Sequence, residues 1–247
     1  MNYYKNYKKL NEYERNLKLQ EMKEKDIEKI KKIIQATKLE KPKECILKLN
    51  VKQFLFIYKQ FYMGEYEYDR MPFIIRQFFY VMGTKAGIKP SESELRTWCV
   101  FFQNLGIVLK NIIEDINTIK NTSEKTKLLK KINDLIIYQE YFLESPDIKE
   151  KHRIDFLLEL YNDKLIIENS HKTENKYEIE VQTNKELQAQ TYASILSELQ
   201  PKTNIKTLIY INNQAITTLN FQKEIKRFII DAKNNPFEKI IKLFRKE

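Results

Sequence analysis

The sequence predicts an α/β protein of the α+β kind, with an all-helical domain at residues 1–145 followed by a small sheet flanked by helices at residues 146–247. Two observations support this prediction. Apolar residues recur every three or four positions throughout the first half, as on one face of a helix. After Ser145-Pro146, short apolar and β-branched runs replace that period. A chain of 247 residues is long enough for one large or two modest domains.

The predicted helices of the first half are bounded by recognisable start and stop signals. Pro72 is typical of a first helical position. Ser91 followed by Glu94 forms a capping-box pattern, and Asn121 followed by Glu124 repeats the spacing. Five helices are therefore predicted, over residues 8–38, about 51–64, 72–83, about 92–120 and about 121–143.

The second half has the element order β-β-β-α-β-α. The first three strands are RIDFLLEL, KLIIENS and KYEIEVQT, and the third alternates most cleanly between apolar and polar residues. The later elements are a helix at about 184–199, a strand TLIYIN, a possible strand ITTLN, and helices at about 221–233 and 237–246.

The composition excludes several classes of active site. The chain has four glycines, all between Gly64 and Gly106, and contains neither G-x-G-x-x-G nor G-x-x-x-x-G-K, so glycine-rich phosphate loops are absent. The two cysteines lie far apart in the sequence, which argues against a disulfide framework and against a cysteine-based zinc site. Only His152 and His171 are available as imidazole bases. Hydrolytic chemistry would therefore depend on carboxylates.

The charge of the chain fits a polyanionic partner. The formal net charge is +10 and the pI is near 9.2, and clustered lysine and arginine attract phosphate backbones without regard to sequence. A lysine-rich surface that keeps the protein soluble explains the same numbers. With no apolar leader and no apolar stretch of membrane-spanning length, we expect a cytoplasmic protein without a membrane partner.

The candidate site lies in the second half. Asp155 stands between apolar neighbours in a predicted strand, and Glu180 and Gln182 share the polar face of the strand IEVQ. Two carboxylates brought together on a sheet would hold Mg²⁺ or Mn²⁺, which could activate water against a phosphodiester. Acidic residues that alternate along a strand are, however, also typical of a solvated face.

The order h-D-h, then h-E-h-(K/Q), then a helix with Q-x-x-x-Y resembles the PD-(D/E)XK nuclease superfamily. The similarity covers about residues 146–212 and is carried by IEVQTNKELQAQTYASIL. It implies a restriction-endonuclease-like mixed sheet in which Asp155 and Glu180 bind the metal and Gln182 stands where lysine is usual. It also implies that Gln188 and Tyr192 are the helix motif that contacts substrate. Some members of the superfamily carry E-x-Q.

The second metal ligand has an alternative. Glu168 lies where a direct hairpin partner of Asp155 would fall. In this alternative motif Glu168 is followed by Asn169 and then by Ser170, which stands at the position where lysine is expected. Glu180 is preferred because IEVQ alternates regularly and leads closely into Gln188. Asp147 could also replace Asp155 as the first acid.

Together with the candidate carboxylate site, the resemblance implies a metal-dependent DNA endonuclease or exonuclease. Two other hypotheses remain: a catalytically inactive nuclease-like DNA-binding protein, favoured by the missing lysine, and a helical interaction protein that forms a homo-oligomer through residues 8–38. The apolar steps of that helix do not keep strict heptads, so the last hypothesis ranks lowest.

Overall fold

A computed structural model describes residues 12–37, 44–62, 71–143, 152–171, 178–212 and 215–232. The helices in these ranges are α1 (Glu12–Thr37), α2 (Val51–Tyr62), α3 (Met71–Lys85), α4 (Glu92–Asn117), α5 (Thr122–Asp134), α6 (Glu178–Leu199) and α7 (Ala215–Asp231). The strands are β1 (Leu47–Asn50), β2 (Ile136–Leu143), β3 (His152–Leu160), β4 (Asp163–His171) and β5 (Asn204–Asn212). The predicted α+β class is confirmed.

The five strands form one mixed sheet in the order β1-β2-β3-β4-β5. The pairs β1–β2, β2–β3 and β3–β4 are antiparallel, whereas β5 runs parallel to β4. A parallel neighbour cannot be reached through a tight hairpin, so the chain crosses over through a helix. That helix is α6, which packs mainly against β4 and β5.

The sheet lies between two apolar layers. Neighbouring β4 residues pack into different clusters, Ile167 on one face of the sheet and Ile166 on the other. The larger cluster joins the first face to helices from both halves of the chain, including α4 and α7. The smaller cluster lies between the second face and α6, where Ala189, Tyr192 and Leu196 repeat at helical spacing.

The prediction that KYEIEVQT is a strand is wrong. Residues 178–182 form the start of α6, and residues 172–177 lie outside the described residues. Five alternating positions are too few to exclude a helix. The helical spacing of Ala189 and Tyr192 continues backwards through Lys185, and the parallel β4–β5 pair needs a crossover connection in this interval, which in proteins is usually a helix.

The first 145 residues are not all helical. The predicted fifth helix ends at Asp134, and IIYQEYFL continues as β2, consistent with its β-branched and aromatic residues. The short strand β1 also lies in this half. Because β1 pairs with β2, and β2 with β3, both halves of the chain contribute to one sheet.

Among the other predicted elements, some are confirmed and others are corrected. The strands at 153–160, 164–170 and 207–212 are confirmed as β3, β4 and β5, while ITTLN belongs to helix α7. The helix predicted at 237–246 and residues 8–11 of the first helix lie outside the described residues. In α1, Ile30 and Ile33 are buried in the protein's own core. No helix in the described residues is long and apolar enough to cross a membrane.

Candidate functional site

Two carboxylates lie where β3 and β4 separate. The paired register between these strands extends to Phe156 and Ile167. Beyond it, the backbone N–H of Asp155 donates to Oε1 of Glu168 at 3.2 Å, and the backbone N–H of Asn169 donates to Oδ2 of Asp155 at 2.8 Å. Side-chain oxygens thus accept from the main chain of the opposite strand, which fixes both carboxylates.

Helix α6 adds a cation to this pair. The Nζ of Lys185 lies 3.0 Å from Oε2 of Glu168 and 3.5 Å from Oδ2 of Asp155. The Glu168 side chain is fully buried, whereas about a quarter of the Lys185 and Asp155 side chains is exposed. The three residues therefore form a triad with one fully buried member and two that solvent can reach.

Gln188 and Tyr192 follow Lys185 along α6. The Nε2 of Gln188 donates to the hydroxyl of Tyr192 at 2.6 Å, as residues four positions apart on a helix can. Burial raises the pKa of Tyr192, so its hydroxyl stays neutral. Both residues line the same cavity as Asp155 and Lys185.

This cavity has a volume of about 360 Å³. Its walls come from α6, from the first turns of α4, and from residues of β2, β3 and β4. The lining residues are Ser93, Glu94, Thr97, Trp98, Glu140, His152, Arg153, Asp155, Asn169, Lys185, Gln188 and Tyr192.

A second ion-pair system borders the cavity. Arg153 lies between two carboxylates, with Nη1 at 3.3 Å from Oε2 of Glu140 and Nη2 at 3.2 Å from Oε1 of Glu94. The indole N–H of Trp98 donates to the other oxygen of Glu140 at 2.8 Å. Glu140 has a φ of 51°, which is uncommon for a residue other than glycine. These contacts hold Arg153 in a fixed orientation two residues before Asp155.

Asn169 is the third distinctive feature. It is 4% exposed and lines the cavity, and neither amide atom has a hydrogen-bond partner in the part of the chain that the structure describes. A buried amide without a partner is destabilising, so such groups are rare and often functional.

Excess negative charge marks the site. Burial, reinforced by the charge of Asp155, raises the pKa of Glu168 to about 8, against the smaller opposing effect of Lys185. Burial and the same carboxylate raise the pKa of Glu140 to about 8. The pKa of Lys185 is also raised, because its two carboxylate neighbours outweigh the opposing effect of its burial. The site thus stabilises added protons or cations.

The donor set fits Mg²⁺ or Mn²⁺ bound in part by water. No group of three or more potential ligand residues able to hold a metal is found among the described residues. Mg²⁺ commonly uses one or two carboxylates and completes its shell with water and substrate phosphate. Asp155 and Glu168 provide that pair, with Asp155 open to the cavity.

The predicted site residues fall into two groups. Asp155 and Glu168, the alternative second acid, lie together, and Gln188 and Tyr192 lie beside them. Glu180 and Gln182 belong to α6, so the strand-face argument that paired Glu180 with Asp155 does not hold. The side chains of Glu180 and Gln182 lie outside the described residues.

Several residues at the site were not assigned a role from the sequence, among them Lys185, Glu140 and Asn169. For Lys185 a signal was present, because Lys185, Gln188 and Tyr192 share one helical face once TNKELQAQTY is taken as a helix. Glu140 fell within a predicted helix, and no sequence signal marks Asn169.

Comparisons with known proteins add no relative. No protein-family model, curated protein or solved structure matches this chain. The function must therefore be argued from the chemistry of the site.

Proposed function

We propose that this protein is a metal-dependent deoxyribonuclease that resembles the PD-(D/E)XK superfamily, with Asp155, Glu168 and Lys185 as its central residues. The observation that carries the proposal is the convergence of Asp155 and Glu168 on the Nζ of Lys185 beside an open cavity. A carboxylate pair with an adjacent cation suits phosphodiester hydrolysis, in which negative charge accumulates on the phosphate.

Asp155 and Glu168 would hold Mg²⁺ or Mn²⁺. When bound, the ion supplies charge neutralisation at phosphate oxygens and lowers the pKa of a coordinated water. In hydrolysis the oxygen of water bonds to phosphorus, the bond to the sugar oxygen breaks, and a proton from water ends on that oxygen.

Lys185 supplies the positive charge that Gln182 cannot provide. Its raised pKa keeps the amine protonated at neutral pH, so it can hydrogen-bond a phosphate oxygen as negative charge develops. The missing lysine of the motif favours an inactive protein, whereas the position of Lys185 beside both carboxylates supports an active one. Gln188 and Tyr192 present a linked amide and hydroxyl to the same cavity.

The charge balance supports a requirement for metal. Four carboxylates surround two cations at this site: Glu94, Glu140, Asp155 and Glu168 against Arg153 and Lys185. With Glu140 and Glu168 deprotonated, the two excess negative charges would repel a phosphodiester unless a divalent cation offset them. The net charge of +10 over the whole chain attracts DNA to the protein at longer range.

The test is cleavage of single-stranded and double-stranded DNA by the full chain with Mg²⁺, with Mn²⁺ and with chelator. We expect metal-dependent cleavage that Asp155→Asn, Glu168→Gln and Lys185→Met each reduce by about 100-fold or more. Metal-independent cleavage, or equal cleavage by Asp155→Asn and wild type, would contradict the proposal. DNA binding with no cleavage in either metal would instead indicate an inactive nuclease-like protein.

Lys164→Met provides a matched control. Lys164 pairs with Glu159 across the same two strands and is also buried, but it lies at the other end of their register, near the hairpin. Both lysine variants remove a cation from a carboxylate neighbour. Only Lys185→Met should abolish cleavage, and equal losses in both variants would indicate a folding defect.

A further inference from the structure

We infer that the cavity beside Asp155 receives an unstacked nucleobase, that Asn169 hydrogen-bonds its edge, and that the substrate is therefore single-stranded or locally unpaired DNA. This inference rests on the proposed function and specifies its substrate class.

The argument begins with the unpartnered amide. Asn169 is more than nine-tenths buried and lines the cavity, yet neither Nδ2 nor Oδ1 has a partner among the described residues. Its backbone N–H is bonded to Asp155, which fixes the residue next to the carboxylates. An amide offers a donor and an acceptor side by side. A complementary ligand therefore presents an acceptor to Nδ2 and a donor to Oδ1.

A base edge fits this requirement better than a phosphate does. Asparagine forms two hydrogen bonds with adenine, and other bases also present adjacent donors and acceptors. Glu94 lines the cavity with Asn169, and its carboxylate would repel a second phosphate. A neutral base avoids that repulsion, and the carboxylate can accept from its amino group.

The walls provide surfaces for a planar ring. His152 lines the cavity with its ring centroid 5.8 Å from that of Tyr192, and Arg153, whose guanidinium is held by Glu94, lines the same cavity. Histidine rings and arginine planes are common stacking partners for unpaired bases.

The burial of Asn169 sets the form of the substrate. A cavity of about 360 Å³ is too small to admit a double helix, and an amide that is 4% exposed cannot extend into a groove. A base must therefore leave its stack to reach the amide, which is least costly in single strands, frayed ends or mismatches.

The experiment compares homopolymer oligonucleotides of dA, dC or dT with an abasic oligonucleotide of the same length and phosphate number. For wild type we expect cleavage of at least one homopolymer about tenfold faster than cleavage of the abasic chain, and faster cleavage of a single strand than of the matched duplex. Asn169→Leu should bring the homopolymer-to-abasic ratio close to one.

Gln139→Met is the matched control. Gln139 is 2% exposed and also has both amide atoms unpartnered among the described residues, but it does not line the cavity. Both variants remove a buried unsatisfied amide, so each should raise the melting temperature by about 2–4 °C. Only Asn169→Leu should lose base discrimination. An unchanged ratio in Asn169→Leu, or an equal loss in Gln139→Met, would overturn the inference.

Binding distinguishes this inference from the proposed function. The affinity of each oligonucleotide is measured by fluorescence anisotropy in the same buffers. If wild type cleaves nothing, the nuclease proposal fails, yet tighter binding of a homopolymer than of the abasic chain, abolished by Asn169→Leu, still supports the base site. Equal affinity for both chains in wild type contradicts it.

Discussion

The ammonium of Lys185 on α6 lies 3.0 Å from the carboxylate of Glu168 on β4, although the two residues are 17 positions apart in the chain. Glu168 is fully buried and Lys185 is partly open to the cavity. In β4 the position where the nuclease motif expects lysine is occupied by Ser170, and helix α6 supplies a cation beside the strand instead. This relationship makes the stability and the chemistry of the site depend on the same ion pair.

Replacing Lys185 with Met should destabilise the fold, and more so at high pH. At about pH 6 a raised pKa allows Glu168 to remain protonated without its partner, whereas at about pH 9 the variant must bury an unpaired charge or retain a proton. We expect a loss of about 1–3 kcal/mol in the free energy of unfolding at the higher pH and a smaller loss at the lower. Urea denaturation of the metal-free protein at both pH values measures this, and equal losses would contradict the coupling.

The stability of the metal-free protein should fall as pH rises from about 4.5 to about 8. The folded pKa values of Glu140 and Glu168 lie near 8, above the ordinary value of 4.5. The folded state therefore binds more protons than the unfolded state in this window, and the free energy of unfolding decreases with pH.

Glu140→Gln should flatten that pH dependence, because it removes one of the two raised groups and keeps an oxygen to accept from Trp98. Urea denaturation across the window gives the slope. Glu114→Gln, which removes an exposed carboxylate on α4, should leave the slope as in wild type. An unchanged slope in Glu140→Gln would show that Glu140 does not bind its proton more tightly in the folded state.

Mg²⁺ or Mn²⁺ should raise the melting temperature of wild type and fail to do so in Asp155→Asn and Glu168→Gln. A ligand at 100 times its Kd stabilises the folded state by about 2.7 kcal/mol. The rise should be larger at about pH 8 than at about pH 6, because the ion binds deprotonated carboxylates. Glu180→Gln should respond as wild type does; a lost response there would identify Glu180 as the second ligand instead of Glu168.

The two halves of the chain should unfold together. Phe101 on α4 stacks on Phe156 on β3 with ring centroids 3.7 Å apart, and both rings are buried. Phe101→Ala should lower the free energy of unfolding by about 3–5 kcal/mol. Circular dichroism and the fluorescence of Trp98 should report the same single transition. Tyr80→Ala, which truncates an exposed aromatic on α3, should have a much smaller effect, and two separated transitions would indicate independent domains.

The features predicted correctly depend on neighbours in the sequence. The capping box of Ser91 and Glu94 is present at the start of α4, and Asn121 accepts from the backbone of Glu124 at the start of α5. The hairpin of β3 and β4 turns between the two predicted strands, with a φ of 59° at Tyr161. Asp155 was placed correctly on its strand for the same reason, since two apolar neighbours mark a strand position.

The errors occur where two periods fit a short segment. IIYQEYFL continued the apolar pattern of the preceding helix but pairs as β2, because the sheet offers it β1 and β3 as partners. IEVQ alternated as a strand but begins α6, because β5 is parallel to β4 and the connection must cross the sheet. Neither the strand partners of IIYQEYFL nor the crossover that contains IEVQ can be deduced from the segment itself.

The sequence alone determined the α+β class, the helix starts with capping signals, the strand that carries Asp155, and the lack of glycine-rich phosphate-binding motifs. Only the tertiary structure decided that Glu168 and Lys185 join Asp155, that Glu140 and Arg153 border the same cavity, and that the amide of Asn169 lies there without a partner. The first group depends on local backbone preferences and hydrophobic periodicity, which act within a few residues. The second depends on strand register and on the crossover helix, which join residues distant in the chain.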